Sequence, residues 1–207
     1  MRLKLLAFWI LVVLAVPLAF NALSYLNFNF GYGFLRLKQK AIETGWYLPA
    51  YYSHVVFAGL ILLAGLFQIR ENWRARWPKA HKSIGKFYVF GILFFAAPGG
   101  FVMGLFIERG PWVTLSFILQ CAAWIICTAM AFYFAINRNW QQHRNWMWRS
   151  YSLTLAAITL RLYIFVSSWS MNLAQPEAYA TIAWLSWVPN LLICEWVVWA
   201  KRPEKKI

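Results

Sequence analysis

Apolar residues fall into six long runs with short hydrophilic stretches between them, at about 5–23, 49–68, 87–107, 112–136, 151–171 and 182–200. Each is near the roughly 20 apolar residues a helix needs to cross the hydrocarbon of a bilayer. With no water there to satisfy backbone groups, each run is expected to be an α-helix. The pattern therefore predicts an all-α integral membrane protein with six transmembrane helices. The longest hydrophilic connection, about 24–48, is too short to fold alone, so residues 1–207 read as a single transmembrane domain. The first run has some features of a signal peptide, Arg2 and Lys4 before an apolar stretch that ends near Ala22 and Ser24. It runs on to about residue 23 with a poor small-residue signal, so a retained first helix is expected.

Polar and small residues mark the faces that look into the bundle. In the second run His54, Ala58, Ile61, Gly65 and Gln68 follow one another at helical spacing, as do Ser116, Gln120, Ala123 and Cys127 in the fourth. In the fifth run Thr154, Ala157 and Arg161 do the same. Ala96-Ala-Pro-Gly-Gly100 in the third run predicts a kink or unwound turn, and Gly100 with Gly104 makes a small-residue packing pair. Between the first two runs, 27–33 should be irregular and Phe34–Thr44 a short helix lying in the interface.

Composition sharpens this picture. The chain is 62% hydrophobic and 13% charged, which leaves no room for a separate soluble domain. Many of its 14 tryptophans, Trp46, Trp77, Trp112 and Trp140 among them, stand at run ends, where amphipathic rings prefer the headgroup layer. A net charge of +14 suggests nucleic acid until its placement is considered. With the N-terminus inside, fifteen Lys and Arg fall in inside segments, four outside and one, Arg161, within a run. That is the positive-inside bias with both termini cytoplasmic, and it points to anionic lipid headgroups rather than nucleic acid. Cys121, Cys127 and Cys194 all lie within runs and read as small buried residues.

The chain has no Asp and six Glu. Paired-carboxylate glycosidase sites, Walker motifs, HExxH and GxSxG are all absent, which argues against conventional hydrolysis and phosphoryl transfer. Three histidines remain. His54 lies inside the second run and would touch a substrate, a quinone or a proton path, or serve only as a hydrogen-bonding group in the bundle. His81 and His143 precede the third and fifth runs at similar depth. They read as interfacial histidines, as axial ligands of haem b with Lys82, Arg144 and Arg149 meeting the propionates, or as two ligands of another metal ion that lacks a third. Arg161 is expected to face the bundle, because lipid exposure at mid-membrane costs at least about 2.5–3.5 kcal/mol. Glu195, the one carboxylate within a run, is its expected partner, with Gln68 and Gln120 nearby in a polar intramembrane site.

His143-Arg-Asn-Trp-Met-Trp-Arg-Ser-Tyr151 and the following Ser152–Arg161 resemble the signature of a bacterial family of predicted integral membrane proteins, domain of unknown function 2306. Tyr52 with His54, Gly65-Leu-Phe-Gln68, and His81-Lys-Ser-Ile-Gly85 with Tyr88 resemble its other blocks, over about residues 50–165. Leu66 stands where the family tends to have Pro, and Lys82 where it tends to have Arg. The resemblance implies a location in the bacterial inner membrane and directs attention to His54, Gln68, His81, His143, Arg149 and Arg161. It implies no particular activity. Two functional readings stay open: a membrane protein with a polar intramembrane site for a small molecule or lipid, and a haem-binding redox protein.

Overall fold

The computed structural model describes residues 2–169 and 176–200. Among these there is no strand, and six helical stretches are long and apolar enough to cross a membrane. They are α1 (Arg2–Leu23), α2 (Tyr47–Ile69), α3 (Pro78–Leu105), α4 (Pro111–Ile136), α5 (Trp140–Ser167) and α6, which is built from the halves Pro176–Leu185 and Val188–Ala200. Two of them start well before the apolar runs, α3 at Pro78 and α5 at Trp140. Their opening turns are amphipathic, so hydropathy alone does not register them. Local chemistry starts them instead. Pro78 occupies a first-turn position where its missing N–H costs nothing. The side chain of Asn139 caps α5 by accepting from the Gln142 amide at 3.2 Å.

The chain forms two compact units, Met1–Glu108 and Arg109–Ile207. In the first, α2 packs between α1 and α3. Small residues set the α1–α2 approach: Ala15 and Ala19 are buried, and a Cβ on Gly59 would lie 3.0 Å from that of Ala22. The connection between α1 and α2 is held by side chains. The Tyr25 hydroxyl accepts from the Phe34 amide at 3.0 Å, and Lys38 Nζ donates to the Phe106 carbonyl at 2.8 Å, next to Glu108 at 3.7 Å. Leu35, Ala41, Tyr47 and Tyr51 form its buried core. Phe34–Thr44 is helical only in a 3₁₀ turn, Leu35–Leu37, and a single α-turn, Gln39–Ile42.

In the second unit, α4 and the first half of α5 form a hairpin through a tight turn in which Arg138 is left-handed. The two halves of α6 pack in succession against α4 and α5. Both α5 and α6 are interrupted. The α5 break falls at Leu155, in a stretch where Ser152, Thr154 and Thr159 turn their hydroxyls onto backbone carbonyls of their own helix. The α6 break falls at Ser186–Trp187, just ahead of Pro189, which cannot donate to the carbonyl four residues back.

Candidate functional site

In the first unit the polar chemistry gathers where α2 crosses α3. Five residues of α3, Ile92–Ala96, form a π-helical turn. Pro98 lacks an N–H, and its ring crowds the carbonyl of Phe94; a widened turn relieves that crowding. Two carbonyls of this turn are met by side chains from α2. The Ser53 hydroxyl donates to Phe95 O at 3.0 Å, and His54 Nδ1 lies 2.6 Å from Ala96 O. A carbonyl only accepts, so the imidazole donates from Nδ1, and in the neutral ring the lone pair falls on Nε2. The sequence predicts a kink or unwound turn at Ala96–Gly100; the irregular turn of α3 is the π-helical one at Ile92–Ala96.

Gly99 makes the crossing possible. A Cβ there would lie 2.5 Å from Ala50 O and 2.8 Å from the His54 amide nitrogen. This close approach is made by Gly99, next to the Gly100–Gly104 pair read from spacing, of which Gly104 is buried. Beside it, the Phe57 and Phe95 rings stack in parallel, with centroids 4.1 Å apart and an interplanar angle of 7°. Phe94, Phe95 and Pro98 are exposed on the outside of α3, and His54 is half-buried.

Gln68, one face-length down α2 and buried, ties the same two helices at their other end. Its Nε2 donates to the His81 carbonyl at 3.0 Å, and Gly85 leaves room for it, since a Cβ there would sit 3.5 Å from that nitrogen. Gln68 thus anchors the first turn of α3. His81 is the fourth residue of that helix, and Lys82 beside it is exposed.

In the second unit His143 is the fourth residue of α5, and its Nδ1 lies 2.8 Å from the Ala131 carbonyl of α4. It therefore shares the tautomer of His54. Arg149, read from sequence as a basic residue ahead of the fifth run that would meet propionates, lies inside α5 and forms a two-pronged pair with Glu195 of α6, at 2.5 and 2.8 Å. Its guanidinium carbon also stands 4.6 Å over the Trp146 ring. Arg144 donates to Gln141 Oε1.

The expected Arg161–Glu195 bridge is therefore corrected: the partner of Glu195 is Arg149. Arg161, expected to look inward, lies in the half of α5 beyond the break. Its half of α5 buries Ala156 and Ile158 beside the break, whereas Arg161 is exposed and turns back to donate to the Ala157 carbonyl at 3.1 Å. Gln120 is half-buried on α4, and its Oε1 meets no donor among the described residues.

The second unit also holds a polar seam, in which helical spacing marks Ser116 and Thr154 as inward-facing but gives no notice of Ser152, Thr159 or Ser186. Asn190 Nδ2 reaches Ser152 O, Thr159 Oγ1 and Ser186 O at 3.3, 3.1 and 3.1 Å, so one amide ties together the breaks in α5 and α6. Thr159 also donates to Ser186 O. Trp124 Nε1 donates to Thr154 Oγ1, and Trp187 Nε1 to Ser116 Oγ. The seam is satisfied by protein groups, as polar groups in a bilayer must be. Cys121, Cys127 and Cys194 are buried, as their place within the runs suggests. Among the described residues no three His, Cys, Asp or Glu side chains gather as a metal would require.

Six membrane-length helices with their polar groups tied across helix pairs define a multi-pass membrane protein. The chain belongs to the DUF2306 family of predicted membrane proteins, whose model matches residues 51–198. No curated protein and no solved structure matches it significantly. The matched region runs from within α2 to within α6 and takes in the polar side chains of both groups described in this section.

Proposed function

We propose that this is a multi-pass protein of the bacterial inner membrane, with both termini cytoplasmic, that binds a small amphipathic molecule at a polar intramembrane site centred on His54. One observation carries the reading: a half-buried imidazole within a membrane-spanning helix, held at the α2–α3 crossing with its Nδ1 2.6 Å from the Ala96 carbonyl. A ring that served only to pin α2 to α3 would be redundant beside Ser53 and the Gly99 contact. Ionisable groups within spans mark ligand or proton sites more often than their rarity suggests. The charge distribution supports the orientation, with basic inner loops lying on anionic headgroups. Native mass spectrometry of the protein extracted with its lipids tests the site: an amphiphile retained by the wild type should be lost from a folded His54→Ala variant. Equal retention would overturn the reading.

A further inference from the structure

We propose that a cavity in the connection between α1 and α2 binds a phosphate anion, supplied by the headgroup of an anionic phospholipid. The cavity, of about 230 Å³, is lined by residues 36–41 together with Glu108, all within the first unit. It stands apart from the His54 site. Its walls are already ordered. Leu35 and Ala41, at the two ends of the lining segment, are buried with Tyr47 and Tyr51. Gln39 Nε2 donates to Phe30 O at 2.9 Å and to Leu35 O at 3.0 Å. Phe106 O takes one of the three N–H groups of the Lys38 ammonium. Little ordering of the loop is therefore left to oppose binding. The charge selects an anion. Arg36, Lys38 and Lys40 bring three cations within five residues, against one lining carboxylate, Glu108. Lys38 lies 3.7 Å from Glu108, whereas Arg36 and Lys40 are exposed and enter no ion pair among the described residues. The charge bias along the chain puts this connection outside, where only four Lys and Arg fall, and three of those four line the cavity. Depth and composition select a lipid. The cavity lies near where α1 ends at Leu23 and α2 begins at Tyr47, the level at which headgroups meet a membrane-spanning bundle. Leu37, between Arg36 and Lys38, is 66% exposed, and Trp46 just ahead of α2 is 76% exposed. Apolar side chains interleaved with cations suit a segment that meets phosphate and acyl chain together.

The test uses the full-length protein with a fluorophore on Leu37→Cys, in phosphatidylcholine nanodiscs doped with brominated phosphatidylglycerol or, in parallel, brominated phosphatidylcholine. Leu37 is an exposed position and the three native cysteines are buried, so the label goes to the cavity. Bromine quenches at short range, which makes the signal local and blind to lipids on the inner loops. Phosphatidylglycerol is expected to be enriched at the label about fivefold over phosphatidylcholine, the order of one surface cation facing one phosphate. Arg36→Gln combined with Lys40→Gln should bring the two lipids level, and Glu108→Gln, which removes the like charge, should raise the preference. Equal quenching by the two lipids in the labelled protein overturns the proposal, and that comparison is made within one protein. A preference that survives in the Arg36→Gln/Lys40→Gln protein overturns it as well. Inorganic phosphate added at constant ionic strength separates lipid from solute. An unchanged preference supports the lipid, and a preference erased by millimolar phosphate assigns the cavity to a soluble anion and overturns the lipid assignment.

Discussion

Arg149 and Glu195 face each other through two parallel N–H···O bonds, with the Trp146 ring against the guanidinium. The two ends of the pair differ in setting, since the Arg149 side chain is 12% exposed and that of Glu195 46%. Glu195→Ala is therefore expected to strand a largely covered cation. Breaking a fully buried pair costs about 3–5 kcal/mol. The exposure of Glu195 brings the expectation down to about 1–3 kcal/mol, read as a lower unfolding temperature in detergent. Arg149→Lys keeps the charge and loses the two-pronged geometry, so it should fall between the wild type and Glu195→Ala. A Glu195→Ala protein as stable as the wild type would show the pair to be incidental.

Gly99→Ala tests the α2–α3 crossing. The added methyl would meet Ala50 O and the His54 amide, both backbone, so neither can swing aside. Overpacking of this kind costs about 1–3 kcal/mol. The same change at Gly45, where no atom lies within 4 Å, meets no such clash, although its φ of +75° adds backbone strain. The thermal shift of Gly99→Ala relative to wild type is the measurement. No shift would mean that the helices do not approach as closely as described.

Gln68→Leu should loosen the start of α3. It keeps most of the volume and removes the donor to His81 O. A single such bond is worth about 0.5–1.5 kcal/mol. The local signature is faster hydrogen exchange of the amides around residues 78–85, with exchange around 92–105 unchanged. Uniformly faster exchange along α3 would argue against a local anchor.

Asn190→Leu should untie both helix breaks in the second unit. Its amide reaches three acceptors, Ser152 O, Thr159 Oγ1 and Ser186 O, and two of these are backbone carbonyls beside a break. Removing it takes one donor from partly buried oxygens, of which Ser186 O keeps the Thr159 hydroxyl, so the expected cost is that of ordinary hydrogen bonds, about 0.5–1.5 kcal/mol each. Exchange protection should drop together near 152–159 and 183–190. A loss confined to one of the two segments would refute the coupling.

The six helices are legible in the hydropathy because lipid demands long apolar runs, and that demand acts on every residue of a span. The starts of α3 and α5 are not, since Pro78–Lys86 and Trp140–Arg149 are amphipathic and are helical for reasons of capping and hydrogen bonding. That single shift explains the misassigned ion pair. With α5 taken to begin at 151, Arg149 belongs to a loop and Arg161 is the one cation left for Glu195. With α5 beginning at Trp140, Arg149 is already inside the helix. The inward stripe of α2 was readable, as Ile61, Gly65 and Gln68 are indeed buried. The corresponding stripe on α5 ends at its break, before Arg161. Nothing in residue spacing announces that Asn190 joins two interruptions, because the contact depends on backbone carbonyls, which every residue carries alike.

The widened turn at Ile92–Ala96 also sets a limit on length. Such a turn holds more residues than an α-turn, and each residue of a helix carries the chain round by about 100°. Shortening this segment by one residue would leave α3 continuous and equally greasy, yet would swing everything beyond it, Gly99 included, away from Ala50. A homologue is thus freer to gain or lose residues in the 24–46 connection than here, where the count of residues, more than their kind, aims the glycine.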